Sequence, residues 1–193
     1  MVPAPTEVLR RVVQILDGLR IPYVIGGSFA SSAYGEARST RDVDLVVQLD
    51  LNQVEALASR LGSDFYISRD AMREAIRDHL SFNAIHLESM FKVDFFVLGE
   101  SAFDREEFRR RVSRPLEELG GQTWLIKTPE DTVLRKLEWY RSGGEVSDQQ
   151  WRDVLGVLAV WRGRLDEGYL DHWAAALRVS DLLERARRAI VEL

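Results

Sequence analysis

The alternation of apolar and polar positions divides the chain into two regions of different secondary structure. The first begins with an amphipathic helix over residues 6–19 and a buried strand over residues 23–25, and strands then alternate with helices. From Thr128 onward the pattern predicts only helices. The expected fold class is therefore α+β, with a mixed-sheet domain over residues 1–126 followed by a small all-helical domain over residues 127–193.

The remaining elements follow from the same periodicities and from turn and cap residues. Further strands are predicted over residues 43–48, 65–68, 82–87, 91–98 and 123–126, and 82–87 pairs with 91–98 as a hairpin. Further helices are predicted over residues 29–34, 51–61, 70–78, 103–111, 128–141, 147–161, 167–178 and 181–191. Ser28 is expected to cap the helix over 29–34, and Gly35 to end it.

Composition and charge narrow the class of protein. The chain has 193 residues, of which 46% are hydrophobic, so it can bury a core. No apolar run approaches the ~18 residues of a membrane span, and the N-terminus lacks a signal-peptide pattern. The absence of cysteine fits a cytoplasmic location. A net charge of −5 argues against a protein that coats nucleic acid through bulk charge.

Two acidic residues, Asp42 and Asp44, open the strand over residues 43–48. Residues two apart in a strand point to the same face, so both carboxylates project together. At ~4 Å and an effective dielectric near 20, two such charges repel by about 4 kcal/mol. A hard divalent cation relieves this repulsion, Mg²⁺ first. The alternative is a solvated strand end whose acids pair with Arg38 or Arg41.

The turn Gly26-Gly27-Ser28 precedes this acidic pair. Glycines let the backbone approach a ligand closely, and the free N–H groups of the following helix suit a phosphate. The alternative is an ordinary strand-to-helix turn. The turn becomes a specific signal only in combination with the Asp-x-Asp strand that follows it.

A third acid, Asp94, lies within the apolar strand over residues 91–98. An acid there is costly unless it is liganded or paired. It either forms an ion pair with Lys92 or completes a two-metal site. In the second case it can act as the general base on an incoming hydroxyl.

These three features together resemble the nucleotidyltransferase superfamily of polymerase β-type enzymes. The C-terminal residues 128–131 (Thr-Pro-Glu-Asp), then Lys136, then Arg152-Asp153, look like the AbiEii-type toxin nucleotidyltransferases. The likeness covers residues 23–160, and the chain is smaller than many relatives. The resemblance implies a nucleotidyltransferase domain followed by the helical domain.

The resemblance also implies roles for individual residues. Asp42, Asp44 and Asp94 would bind the metal, Mg²⁺ or Mn²⁺, and Asp94 would activate the acceptor. The nucleotide would be held by Gly26, Gly27, Ser28, Arg41 and Lys136, and supported by Asp153.

Some of these residues also have plainer interpretations. Lys136 lies on an amphipathic helix, where a surface lysine is ordinary. Asp153 lies opposite the apolar stripe of its helix and either faces a cleft or is simply polar surface. Arg41 either neutralises phosphate or pairs with Asp42 or Glu36. A basic cluster forms either a solvated helix face or a contact for a nucleic-acid backbone; it comprises Arg105, Arg109, Arg110, Arg111 and Arg114.

The expected function is metal-dependent transfer of a nucleoside monophosphate from an NTP to an acceptor hydroxyl. The first acceptor hypothesis is an RNA or tRNA 3′ end, with the protein acting as the toxin of a toxin–antitoxin pair and an antitoxin as partner. The second is a small molecule, such as an antibiotic hydroxyl. A different class, a nucleotide-binding or partner-binding module without turnover, is the alternative to catalysis.

Overall fold

The computed structural model describes residues 3–35, 42–116 and 121–191. In these ranges the α-helices are α1 (Pro5–Gly18), α2 (Gly27–Tyr34), α3 (Val54–Leu61), α4 (Arg69–Asp78), α5 (Ala102–Arg109), α6 (Pro129–Ser142), α7 (Asp148–Val160), α8 (Glu167–Ala176) and α9 (Ser180–Ala189). The strands are β1 (Tyr23–Ile25), β2 (Asp42–Val47), β3 (Phe65–Ile67), β4 (Ser81–His86), β5 (Lys92–Val97), β6 (Val112–Leu116) and β7 (Gln122–Ile126).

The strands form one mixed sheet in the order β3-β4-β5-β2-β1-β7-β6. The pairs β2–β5 and β1–β7 are parallel, and the other neighbouring pairs are antiparallel. The predicted hairpin is present as β4 and β5. A mixed sheet with helices confirms the α+β fold class.

The sheet has one buried face and one partly exposed face along β2 and β5. Residues of the two strands alternate strictly between buried and half-buried positions. The buried positions are apolar: Val43, Leu45 and Val47 on β2, and Val93, Phe95 and Val97 on β5. The acids of both strands therefore lie on the opposite, partly exposed face, as the period-2 pattern predicts.

The described chain divides into two compact units. One contains the sheet with α1, α3, α4 and α5; the other contains α2 with α6–α9. The sequence assigned residues 27–34 to the domain over 1–126, but α2 packs with the C-terminal helices. Tyr34 contacts Trp161 edge to face at 5.4 Å, and Ser31 donates a hydrogen bond to Asp153. The helices that contact α2 are thus α6 and α7, which lie roughly 100 residues later in the sequence.

Local differences from the predicted elements have simple causes. The strand β6 was not predicted, because it is interrupted by Pro115; Pro is tolerated there since β6 is the edge of the sheet. The helix α2 begins at Gly27 (φ 53°), so Ser28 lies in its first turn and is not its cap. Only residues 54–61 of the predicted helix 51–61 are α-helical; residues 51–53 form a 3₁₀ turn. None of the helices in the described ranges has the length and apolar composition to cross a membrane.

Candidate active site

Three carboxylates lie on the partly exposed face of β2 and β5. The strands are parallel, and Asp44 is the Cα partner of Asp94, while Asp42 is the Cα partner of Lys92. All four side chains are half-buried. The structure therefore places Asp94 on the same face of neighbouring strands as Asp42 and Asp44, which lie 50 or more residues earlier in the sequence.

The hairpin strand β4 extends this row of polar residues. Asn83 is the Cα partner of Asp94, so Asn83, Asp94 and Asp44 lie side by side across three strands. Asn83 is exposed. Sequence reasoning did not select Asn83. The register of the predicted hairpin could have identified Asn83, because the pairing of residues across β4 and β5 decides which side chain lies next to Asp94.

Among the described residues, Lys92 places a positive charge on this face. Its Nζ lies 2.6 Å from Oδ2 of Asp94, and the two side chains are 39% and 18% exposed. The pKa of Lys92 is raised, first by its hydrogen bond to Asp94; burial opposes this, and the charges of Asp94, Asp42 and Asp44 add to it. The structure thus has the ion pair that was one of the two interpretations of Asp94, and that pair lies on the face that also carries Asp42 and Asp44.

Whether this face can hold a divalent cation depends on the type of its donor atoms and on whether those atoms lie close enough to contact one ion. Carboxylate oxygens are the ligands that Mg²⁺ prefers, and three acids share one face. Within the described ranges, however, no three His, Asp or Glu side chains converge closely enough to hold one ion. The engagement of Asp94 by Lys92 is one visible reason, because the Asp94 carboxylate is oriented toward the ammonium. The donor types fit Mg²⁺, and a metal role for Asp94 would require its carboxylate to leave Lys92.

A second polar cluster lies within the helical unit around Asp153. Lys136 on α6 donates to Oδ2 of Asp153 on α7 at 2.6 Å, and their side chains are only 6% and 8% exposed. Ser31 on α2 donates to the same oxygen at 3.1 Å, and Gln149 donates to Oδ1 at 2.8 Å. Three donors therefore satisfy one buried carboxylate.

The cluster around Asp153 shows that one interpretation of Lys136 is wrong, and it includes two residues that the sequence did not point to. The ordinary interpretation of Lys136 as a solvated lysine is wrong, because α2 and α7 cover it. Asp153 is its direct partner. Sequence reasoning missed Ser31 and Gln149. Gln149 precedes Asp153 by one helical turn, which was a usable signal, but no local pattern connects Ser31 to Asp153.

The turn Gly26-Gly27-Ser28 is described by its backbone hydrogen bonds. The Gly26 N–H donates to the Asp44 carbonyl at 2.9 Å, so this glycine is paired with the strand that carries the acids. Ser28 is half-buried, and its carbonyl accepts a hydrogen bond from Ser31 Oγ. Arg41, predicted to bind nucleotide, lies outside the described residues, as does Arg38.

The basic cluster is partly neutralised by neighbouring acceptors. Arg109 donates to both carboxylate oxygens of Glu106, at 2.9 and 2.6 Å. Arg111 donates to the Phe108 carbonyl at 2.5 Å and lies over the Phe108 ring. These contacts match the solvated-face interpretation, since Arg109 has an acceptor within α5 and Arg111, which follows α5, has one in its last turn.

Comparison with known proteins supports the fold and leaves the family open. No protein-family model and no curated protein matches the chain. The crystal structure of ANT(2")-Ia in complex with adenylyl-2"-tobramycin is similar, with a TM-score of 0.60 and 14% identity, covering 90% of this chain and 96% of that chain. An antigenic nucleotidyltransferase-like protein from Paracoccidioides brasiliensis gives a TM-score of 0.54 and 19% identity, covering 95% of this chain and 92% of that chain.

A solution structure of the antibiotic-resistance factor ANT(2'')-Ia is also similar, with a TM-score of 0.53 and 14% identity, covering 100% of this chain and 97% of that chain. At such identities the likeness concerns the fold. The chain has the fold of nucleotidyltransferases, as the sequence predicted. The narrower resemblance to AbiEii-type toxins stays a prediction.

Proposed function

We propose that this chain is a nucleotidyltransferase that moves a nucleoside monophosphate from an NTP to an acceptor hydroxyl. The observation that carries the proposal is the register of β2 and β5, which sets Asp44 beside Asp94 with Asp42 on the same face. In the nucleotidyltransferase fold, a row of carboxylates on an open sheet face is suited to metal-assisted phosphoryl chemistry.

The residue roles follow from the chemistry of each group. Asp42, Asp44 and Asp94 would hold Mg²⁺ or Mn²⁺, and a bound ion would neutralise phosphate charge and acidify the acceptor hydroxyl. Gly26, Gly27, Ser28 and Arg41 are proposed for nucleotide binding, and Lys136 would join them only by leaving its buried pair with Asp153. Asp153 would act indirectly, since it holds the Lys136 ammonium.

The transfer itself forms one bond and breaks one bond. The acceptor oxygen attacks the α-phosphorus, the bond from that phosphorus to the oxygen bridging to the β-phosphorus breaks, and pyrophosphate leaves. Asp94 takes the proton of the acceptor hydroxyl once its carboxylate is released from Lys92. Positioning and charge neutralisation supply most of the acceleration.

For the acceptor, a small molecule is the better-supported choice. An RNA or tRNA 3′ end drew its support from the cluster of arginines 105–114, and two of these arginines are engaged by acceptors within α5. The neighbour ANT(2")-Ia is known in complex with adenylyl-2"-tobramycin, a nucleotide-modified small molecule. The RNA acceptor, with the toxin role and an antitoxin partner, is the second candidate.

Label transfer tests the reaction and the acceptor together. The protein is incubated with each α-³²P-NTP and Mg²⁺, with total cellular RNA in one set and hydroxyl-bearing aminoglycosides in another. Asp42→Asn/Asp44→Asn should lower transfer roughly a hundredfold or more, because the ligands of a catalytic metal supply several kcal/mol. The matched control Asp50→Asn/Asp78→Asn removes two exposed charges from the same unit and should transfer normally.

Each outcome assigns the protein to one class. A labelled small molecule supports the first acceptor, and labelled RNA supports the second and the toxin role. Nucleotide binding without product under all conditions would favour the module without turnover. The absence of both product and nucleotide binding would refute the proposal.

A further inference from the structure

Lys92 occupies an unusual position on the acidic face. Its Cα is paired with Asp42 on β2, while its ammonium reaches two residues along its own strand to Asp94. The charge of Lys92 therefore lies against the Asp94 carboxylate, on the face that also carries Asp42 and Asp44.

The charges of this face require a cation. Asp42, Asp44 and Asp94 carry three negative charges on neighbouring strand positions, and the Lys92 ammonium contacts one of them, Asp94, at 2.6 Å. Carboxylates that share a site repel unless a cation or a proton intervenes. The ammonium thus performs, in the protein alone, the electrostatic task that a divalent ion performs in a metal site.

We propose that the Lys92 ammonium is a built-in counter-ion of the acidic face, and that a divalent cation binds by displacing it from Asp94. This inference rests on the proposed function, because it concerns the same three carboxylates. Lys92 is therefore a positioning residue. It holds the acids in place when no metal is bound, and it leaves Asp94 when the ion binds.

The displacement is physically feasible because the Lys92 side chain is flexible and its ion pair with Asp94 is partly exposed to solvent. Its side chain is 39% exposed, and a flexible four-carbon stem carries the charge. A partly exposed ion pair contributes little free energy, so breaking it costs little. By contrast, the Lys136–Asp153 pair is almost fully buried and is not suited to such an exchange.

Direct metal binding tests the inference without any turnover. Mn²⁺ is titrated into the full chain without nucleotide, and free Mn²⁺ is followed by its electron paramagnetic resonance signal. Lys92→Met should bind Mn²⁺ roughly tenfold more tightly, because a competing positive charge next to the ion is removed. Lys92→Arg, which keeps the charge, should not tighten binding.

A charge control and a wild-type measurement complete the design. Arg60→Met removes one exposed charge from α3 in the same unit and should leave Mn²⁺ affinity unchanged. In the wild type, Mn²⁺ should raise the rate at which amine reagents label Lys92. Lys127 and Lys136, 4% and 5% exposed, are internal references. This second measurement applies even if Lys92→Met fails to fold.

The outcomes separate this inference from the proposed function. Mn²⁺ binding that is unchanged or weaker in Lys92→Met, or Lys92 labelling that is unaffected by Mn²⁺, overturns the counter-ion role while leaving the transferase proposal intact. If the wild type and every variant fail to bind Mn²⁺ or Mg²⁺, both the counter-ion role and the metal role of the carboxylates are refuted.

Discussion

At the scale of single residues, Lys136 shows how strongly burial depends on distant parts of the chain. Its own helix carries Val133, Leu134 and Leu137 around it, a pattern that is equally typical of a helix with a surface lysine. The structure buries Lys136 to 5% exposure and pairs it with Asp153. A buried ion pair is retained only when both charges are satisfied, and here Ser31 and Gln149 complete the hydrogen bonding of the carboxylate.

Breaking this pair on one side should destabilise the protein strongly. Lys136→Met leaves the Asp153 carboxylate buried without its cation, and the free energy of unfolding should fall by roughly 3–5 kcal/mol. The double variant Lys136→Met/Asp153→Leu should be clearly more stable than Lys136→Met, because no charge is then left unpaired. Urea unfolding of both variants and of the wild type measures the two values. A loss below about 1 kcal/mol for Lys136→Met would mean that the pair behaves as an exposed one.

At the scale of elements, the contact between α2 and α7 depends on Gly35, which directly follows α2. A Cβ at this position would lie 3.1 Å from the backbone of Gly156 and of Val157 on α7. Backbone atoms cannot move aside as a flexible side chain can. The sequence correctly indicated that α2 ends at this glycine, but the close approach of a second helix was visible only in the structure.

Gly35→Ala should therefore separate α2 from α7. Overpacking of this kind costs roughly 1–3 kcal/mol of folding free energy. The control is Gly18→Ala at the end of α1, where the nearest atom is the flexible Arg60 side chain at 3.8 Å, so stability should be unchanged or slightly higher. Thermal and urea unfolding compare the two variants; equal stability of Gly35→Ala and wild type would contradict the close packing.

At the scale of the whole molecule, the order of elements along the chain differs from their grouping into units. The chain passes through β1, enters α2 of the helical unit, and returns to the sheet at β2. The helical unit therefore combines one early helix with the helices after Lys127. Because α2 contacts both α6 and α7, this unit is incomplete without a segment from the first part of the chain.

A fragment of residues 127–193 should consequently fold poorly by itself. It lacks α2, and so it exposes the surface around Asp153 and Gly156 that Ser31 and Gly35 contact in the protein. Circular dichroism should show less helix than the full chain contains in this region, and urea unfolding should be weakly cooperative. Adding a peptide of residues 27–35 should raise the helical signal. Cooperative unfolding of the fragment without the peptide would show that α2 is dispensable.

Much of the fold was readable from local pattern. The period-2 alternation of β2 and β5 placed Asp42, Asp44 and Asp94 on the non-core face, because one-sided burial dictates the orientation of a strand. The cap residues Thr128 and Ser147 start helices through their own side chains, and such short-range contacts can be recognised from neighbouring residues in the sequence.

Only the tertiary structure decided which residues these side chains have as partners. The parallel pairing of β2 with β5 brings Asp44 beside Asp94, and the hairpin register adds Asn83. The burial of Lys136 depends on its pairing with Asp153 on the next helix and on α2, and the grouping of α2 with the C-terminal helices includes the Ser31–Asp153 hydrogen bond across 122 residues. Local periodicity specifies which face of an element is apolar, but it does not specify which other element covers that face, since many distant surfaces satisfy the same hydrophobic requirement.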